Sequence, residues 1–260
     1  GKCKRILPWT NAAKNSLLYN ISSSKIEKKT EVVYPAIHLP TVDKNKDNTK
    51  IRVLFVAYNF RKKGGFEAVE SFSLALKNCM CNSEYDVEMD VISSIPREIN
   101  PKKYEKINFL GIMPREEIYK KIYPISDIFL YPTLFDSFGM VLLEAMSFGM
   151  PVITLHDFST SEIIDNEKDG FVVEGYSHKW YDSKDFLNIH KDWDTLVKMH
   201  DKEEQKRIIG DLAEKLCILI EDKNLRKRMG EAAEEKIKSG KFSIKNRNEK
   251  LKAIYEKAIE

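Results

Sequence analysis

The chain lacks the residues that would make it a disulfide-stabilised or membrane-spanning protein. Its 260 residues include only four cysteines, which are too scattered for a disulfide framework. Cys79 and Cys81 have the wrong spacing for a zinc knuckle, and no second pair completes such a site. No run of about 18 consecutive apolar residues predicts a transmembrane helix. We therefore expect reduced thiols and a cytoplasmic protein, with membrane association left open for a full-length form.

Motifs for metals, dinucleotides and nucleic acids are missing as well. The five histidines form no metal-binding pattern, and neither the G-x-G-x-x-G fingerprint nor a Walker loop occurs. Residues 1–50 carry ten Lys or Arg against four Asp or Glu, although the whole chain has a net charge of only +3. Such a basic stretch can meet an anionic membrane or nucleic acid, or can simply be solvated. Because no aromatic-interleaved basic patch accompanies it, we expect no nucleic-acid partner.

What the sequence does contain is an alternation of strands and helices. The first 40 residues predict two short strands, Arg5–Pro8 and Glu31–Pro35, on either side of a helix from about Asn11 to Asn20 with Asn11 as its N-cap. A polar, turn-rich linker follows at residues 41–50. Beyond it, residues Ile51–Ala57 are apolar apart from Arg52, which is typical of a buried parallel strand.

The alternation continues to residue 173, and long helical segments follow. This spacing predicts an α/β fold with a doubly wound parallel sheet and extra C-terminal helices. In such sheets, ligands bind outside the carboxyl ends of the strands. Further strands are predicted at Asp86–Ser93, Ile107–Leu110, Ile128–Tyr131, Pro151–Leu155 and Phe171–Val173, and helices at Gly64–Asn78, Arg115–Tyr123, Gly139–Phe148, Ser161–Ile164 and about 194–222, 223–239 and 243–259.

The strongest functional signal is the segment 131–146, where a predicted strand runs through a short loop into a helix. Gly139 would let a ligand approach the backbone, and the N–H groups of residues 138–141 would form an anion site at the positive end of the helix. Asp136 precedes the helix, and Glu144 lies roughly 7–8 Å along the helix axis from Gly139. Two acidic groups flanking an anion site fit a phosphate that lies between two polyols, as in a nucleotide sugar.

The run from Asp136 through Glu144-Ala145-Met146 to Pro151 resembles the acidic-x7-acidic motif of family 4 retaining glycosyltransferases. The resemblance implies that Glu144 holds the ribose hydroxyls and that Asp136 lies beside the donor sugar, although the family usually has Glu at this first position. The alternative is that Asp136 merely caps the helix and that Glu144 is a solvated helix residue. The resemblance also implies that the intervening backbone binds sugar and diphosphate, at Ser137, Phe138, Gly139, Met140 and Val141.

A second segment, Asn59–Gly65, directly follows the first buried strand and resembles the family's loop bearing Lys-Gly. The resemblance implies that Lys63 neutralises the donor phosphates next to Gly64 and stabilises the departing nucleoside diphosphate. Many members carry an arginine earlier in this loop, where this chain has none, and Arg61 or Lys62 is the candidate replacement. The alternative is a solvated basic turn.

Three weaker signals complete the site prediction. In the segment Leu110–Glu117, related enzymes place the nucleobase, so Ile112 and Met113 are the predicted base contacts; a plain strand-to-helix turn is the alternative. Glu162 matches a recurrent family segment near the donor phosphates, but the electrostatics of a helix start explain it equally well. Residues 175–193 form either a partner or lid contact or an insertion that packs locally.

The resemblance implies a GT-B fold, in which two Rossmann-like domains enclose the active site. Residues 1–45 would be a remnant of the N-terminal domain and a crossover linker, 46–240 the donor-binding domain, and 241–260 a helix that returns to the N-terminal domain. Transfer from a UDP-, GDP- or ADP-sugar to a lipid, glycan or protein would then proceed with retention of anomeric configuration.

The same resemblance implies that the reaction needs no cofactor and no divalent metal. It also implies that this chain alone is inactive, and that any peripheral membrane contact belongs to the domain it lacks. A GT-B sugar-nucleotide epimerase and a non-catalytic nucleotide-sugar-binding module are the alternative functions.

Overall fold

Six parallel strands form one sheet with helices on both faces. The computed structural model describes residues 3–45, 47, 49–79, 86–176 and 201–259. The strands are β1 Lys50–Asn59, β2 Asp86–Ser94, β3 Ile107–Phe109, β4 Ile128–Tyr131, β5 Val152–Leu155 and β6 Gly170–Val173. Their spatial order is β3-β2-β1-β4-β5-β6. The predicted α/β class and the doubly wound parallel sheet are confirmed.

The helices of the described residues are α1 Asn11–Ile21, α2 Ser24–Glu27, α3 Gly65–Cys79, α4 Arg115–Glu117, α5 Met140–Ser147, α6 Thr160–Ile163, α7 Lys202–Glu221, α8 Lys223–Lys238 and α9 Ile244–Ile259. The predicted helix Arg115–Tyr123 is less regular than expected. It continues after α4 as a π-helical turn and then a 3-10 turn that contains Pro124, which has no N–H to donate. Residues 194–200 of the helix predicted at about 194–222 lie outside the described residues, as does most of 175–193.

The strand order reverses at the centre of the sheet, between β1 and β4. β1 pairs with β2 on one side and with β4 on the other. Both central strands are covered on both faces, and the side chains of Leu54, Phe55, Phe129 and Leu130 are fully buried. Because successive crossovers run outward from this point, a crevice remains at the carboxyl ends of β1 and β4. The loops that follow these two strands carry the residues predicted to bind the donor.

The N-terminal segment, residues 3–45, does not form the two predicted strands. Instead, Ile6 and Thr30 form an isolated bridge, and the N–H groups of Glu31 and Val33 donate to the carbonyl oxygens of Ile6 and Pro8. A proline ends each stretch, and a proline has no N–H to donate to a strand ladder. The start of the helix also differs from the prediction. The N-cap of α1 is Thr10, whose hydroxyl accepts a hydrogen bond from the Ala13 N–H.

Asn11, the predicted cap, is occupied by a different contact. The Glu162 carboxylate accepts hydrogen bonds from the backbone N–H groups of Asn11 and Ala12, at 2.8 and 2.7 Å. It also accepts from the Asn11 side-chain amide at 2.9 Å and from the Tyr34 hydroxyl at 2.7 Å. Glu162 therefore fastens the N-terminal segment to the sheet domain through the positive end of α1, a contact that sequence reasoning did not foresee.

Aromatic side chains join the same parts of the chain. The ring of Trp9 lies edge-on to Phe138, with centroids 6.1 Å apart, and Phe242 contacts both Phe138 and Tyr34. Phe138 is buried, whereas Trp9 keeps about half of its surface exposed. The N-terminal segment thus packs against the loop after β4 and against the turn that precedes α9.

Candidate active site

Two loops meet in the crevice because a glycine permits their close approach. Gly64, in the loop after β1, has φ +71°, and a Cβ built there would lie 1.8 Å from the carbonyl oxygen of Pro132 in the loop after β4. The Leu134 N–H donates to the carbonyl of Lys62 at 3.2 Å and joins the same two loops. The residues at 60–64 and 132–139 therefore form one unit, although about 70 positions separate them in sequence.

Lys63 and Asp136 form an ion pair across this junction. The Lys63 Nζ lies 2.8 Å from Asp136 Oδ2 and also donates to the Phe135 carbonyl oxygen at 2.7 Å. The Tyr131 hydroxyl donates to the same carboxylate oxygen at 2.9 Å. Burial, reinforced by the Asp136 charge, raises the pKa of Tyr131 well above its usual value, so its hydroxyl remains a donor. The structure thus brings together the two residues that the resemblance assigns to the phosphates and to the sugar.

Asp157, which sequence reasoning did not single out, forms a hydrogen bond with the backbone of Asp136. Its carboxylate accepts from the Asp136 backbone N–H at 2.9 Å, and only 5% of its surface is exposed. The nearby Ser159 hydroxyl donates to the carbonyl oxygens of Asp136 and Phe138. Burial raises the pKa of Asp157 to about 7, against the opposing effect of hydrogen bonds from backbone amides and of Lys63. Its position just after β5, at the carboxyl edge of the sheet, was the available signal.

This pKa shift predicts a pH dependence of stability. A carboxyl whose pKa rises on folding stabilises the folded state at low pH, and that contribution is lost as the pH rises through about 7. Asp157→Asn keeps an oxygen acceptor for the Asp136 N–H but removes the titration. We expect its free energy of unfolding, relative to wild type, to rise by about 3 kcal/mol between pH 4 and pH 8, since one pKa unit is about 1.4 kcal/mol.

Urea denaturation at four or five pH values measures this difference. Asp43→Asn removes an exposed carboxyl instead and serves as the control for the substitution itself. A pH-independent difference for Asp157→Asn would contradict the prediction.

Glu144, in α5, is held by one exposed and one buried side chain. Arg115 Nε and Nη2 lie 2.8 and 2.7 Å from Glu144 Oε1, and the buried Tyr123 hydroxyl donates to Oε2 at 3.0 Å. The Glu144 side chain is 11% exposed, whereas that of Arg115 is 69% exposed. Glu144 is therefore a shielded carboxylate rather than a solvated helix residue.

The backbone between the two acids begins α5 at a left-handed glycine. Gly139 has φ +84° and occupies the N-cap position, which no side chain caps. Asp136 accepts instead from the Phe138 N–H, at 3.3 Å. Ser137 is exposed, while Met140 and Val141 are half-buried. Since the first N–H groups of a helix have no intrahelical acceptor, those at the start of α5 point to an anion site.

The remaining predicted binding residues lie apart from the Lys63–Asp136 pair. Arg61 forms an ion pair of 2.6 Å with Glu98 and lies over the Phe66 ring, so it faces the loop after β2. Ile112 is 61% exposed, while Met113 packs partly against the core. Both belong to the loop between β3 and α4, next to Arg115.

The described residues contain neither a cluster of metal ligands nor a membrane-spanning helix. Across 3–45, 47, 49–79, 86–176 and 201–259, no three His, Cys, Asp or Glu side chains cluster as metal ligands do. Among the helices so described, none is both long and apolar enough to cross a membrane.

A comparison with protein families decides the classification. The family model of the group 1 glycosyl transferases matches residues 41–184, which carry both loops and all of α5. The chain belongs to this family. As a group 1 glycosyl transferase it is 26% identical over 214 residues to the capsular polysaccharide biosynthesis glycosyltransferase CapM of Staphylococcus aureus, which covers 80% of this chain and 46% of that protein.

A further curated relative and two solved structures are also similar to this chain. The sucrose synthase of Denitrovibrio acetiphilus is 37% identical over 65 residues, or 25% of this chain and 8% of that enzyme. TarM matches 98% of the chain and 44% of its own length with a TM-score of 0.70 and 16% identity. HepE of Anabaena, solved in complex with UDP-glucose, matches 98% of the chain and 64% of its own length with a TM-score of 0.63 and 14% identity. At these identities the structures show the shared fold. The chain spans about half or less of the length of the two curated relatives named above.

Proposed function

We propose that this chain is the donor-binding half of a retaining glycosyltransferase and that the crevice between β1 and β4 holds a nucleoside-diphosphate sugar. The observation that carries the proposal is the arrangement of one cation and two carboxylates around the start of α5. Lys63 and Asp136 lie at one end, and Glu144 lies one turn into the helix at the other. This order matches hexose, diphosphate and ribose along one extended ligand.

In this arrangement the diphosphate lies against the N-terminal amides of α5 and Lys63. A lysine has three N–H donors, and two of those on Lys63 reach Asp136 and Phe135, which leaves one for a phosphate oxygen. When the bond between the anomeric carbon and the phosphate oxygen breaks, negative charge grows on the nucleoside diphosphate. A fixed cation and oriented amides stabilise that charge without a metal ion, because they require no rearrangement as it forms.

Asp136 then accepts hydrogen bonds from the hydroxyls of the donor sugar, and Glu144 accepts from the ribose. The acceptor (a lipid, glycan or protein) and the groups that position it come from outside this chain. The isolated chain therefore binds the donor but does not transfer it efficiently. HepE and TarM, in complexes with UDP, support a nucleotide ligand for this fold.

Isothermal titration with UDP, GDP, ADP and UDP-glucose tests the proposal. We expect one nucleotide to bind, and Glu144→Gln to weaken it by at least about tenfold, since a hydrogen bond to a charged group contributes about 1.5–3 kcal/mol. Glu116→Gln, which changes an exposed carboxylate of α4 paired with Lys120, is the matched control and should bind as wild type does. The proposal fails if no nucleotide binds, or if both variants behave alike.

A further inference from the structure

The Glu144 carboxylate is almost fully occupied before any ligand binds. It has two oxygens with about four lone-pair positions. Arg115 donates two N–H groups to Oε1, and Tyr123 donates its hydroxyl to Oε2. One acceptor position remains, on the oxygen that Tyr123 holds. The direction in which that position points is fixed by these two donors together.

The two donors differ in how permanently they are held. Tyr123 is fully buried, stacks on Phe148, and its pKa is raised well above the usual value by burial and by the charge of Glu144, so it remains a donor. Arg115 is largely exposed, but two further contacts restrain its guanidinium. The group lies 4.9 Å from the centre of the Tyr119 ring, and its Nη2 reaches the Tyr119 hydroxyl at 3.3 Å.

Arg115 also lies where two predicted parts of the nucleotide site meet. It is the first residue of α4, directly after the loop that carries Ile112 and Met113, and its side chain reaches across to α5. An exposed ion pair on a surface contributes little to stability. Here, however, the partner is a shielded carboxylate whose other side-chain contacts are with the hydroxyls of Tyr123 and Tyr119, so the ion pair fixes the direction of the carboxylate.

We infer that Arg115 is a positioning residue for ribose recognition: it holds Glu144 so that the remaining acceptor position of the carboxylate faces a ribose hydroxyl. This inference rests on the proposed role of Glu144 as the ribose acceptor. Arg115 itself does not touch the phosphates or the reacting carbon. Its effect is therefore confined to the ribose hydroxyls.

The test compares two ligands on the full chain by isothermal titration: the best-binding of UDP, GDP and ADP, and its 2′,3′-dideoxy counterpart. We expect Arg115→Met to weaken the ribonucleotide about tenfold and the dideoxynucleotide less than about twofold, since only the former donates to a misplaced charged acceptor. Arg115→Lys, which restores one donor, should recover part of the loss. Lys120→Met removes an exposed cation from the turn that follows α4 and should change neither affinity.

Each other outcome is decisive. If Arg115→Met leaves the ribonucleotide affinity unchanged, raises it, or lowers both affinities equally, the positioning role is wrong while the proposed function stands. If wild type binds no nucleotide, or Glu144→Gln binds as tightly as wild type, the ribose role of Glu144 fails and this inference fails with it.

Discussion

Replacing Gly64 with alanine should destabilise the protein by roughly 2–5 kcal/mol, the largest loss we expect from any single added methyl group. At φ +71° an alanine costs about 1–2 kcal/mol from backbone strain alone. The added Cβ would also stand 1.8 Å from the Pro132 carbonyl oxygen, so the two loops must separate, and overpacking of this kind costs typically 1–3 kcal/mol more. Urea denaturation measures the loss, and nucleotide titration should show that binding is lost with it.

Gly111 provides a matched control for this substitution. It has nearly the same backbone angle, φ +72°, but nothing lies within 4 Å of the position a Cβ would take. Gly111→Ala should therefore cost only the backbone part, about 1–2 kcal/mol. If both variants lose the same free energy of unfolding, the close approach of Gly64 to Pro132 adds nothing to the cost. The two loops would then not be held together as described.

Glu162→Ala is expected to release the N-terminal segment from the sheet domain. Four donors lose their common acceptor, and two of them are backbone N–H groups at the start of α1. Hydrogen bonds to a charged group contribute about 1.5–3 kcal/mol each, so we expect the segment to lose about 3 kcal/mol or more of its local stability. Hydrogen exchange measures this directly: the amides of α1 should exchange about a hundredfold faster.

Two further variants test whether the loss of the Glu162 carboxylate causes the faster exchange of α1. Glu162→Gln retains an oxygen acceptor without the charge and should show an intermediate exchange rate. Glu231→Ala removes an exposed glutamate of α8 that is 3.8 Å from Lys227 and should leave α1 unchanged. If Glu162→Ala leaves the exchange of α1 at the wild-type rate, the segment is held instead by its aromatic contacts and by its other polar contacts, such as the Lys44–Glu234 ion pair.

The sheet was predictable because buried parallel strands have a sequence pattern of their own. β1 was expected at Ile51–Ala57 and covers Lys50–Asn59, and β4 was expected at Ile128–Tyr131 and lies there. Strands covered on both faces consist of nearly continuous apolar runs, so local sequence is sufficient to find them. In the N-terminal segment the same apolar signal led to two wrong strands, since local sequence does not show whether a neighbouring strand is available to pair.

The site was predictable only in part, for a related reason. Asp136, Gly139 and Glu144 lie within nine residues, so their arrangement follows from one loop and one helix. The partners that orient them come from distant positions: Lys63 precedes Asp136 by 73 residues, and Arg115 precedes Glu144 by 29. Asp157 escaped notice because its partner is a backbone N–H, which has no sequence signature. These contacts depend on the tertiary structure and are not encoded by spacing.

The contact between Trp9 and Phe138 gives the protein a built-in optical probe. Indole emission depends on the polarity and motion of its surroundings, and this indole is about half exposed while one edge meets a ring in the loop before α5. We expect a ligand bound at that loop to change the emission of Trp9, and replacing the other two tryptophans, Trp180 and Trp193, with phenylalanine isolates that signal. Occupancy of the crevice can therefore be followed by intrinsic fluorescence, without a label and without any chemical reaction taking place.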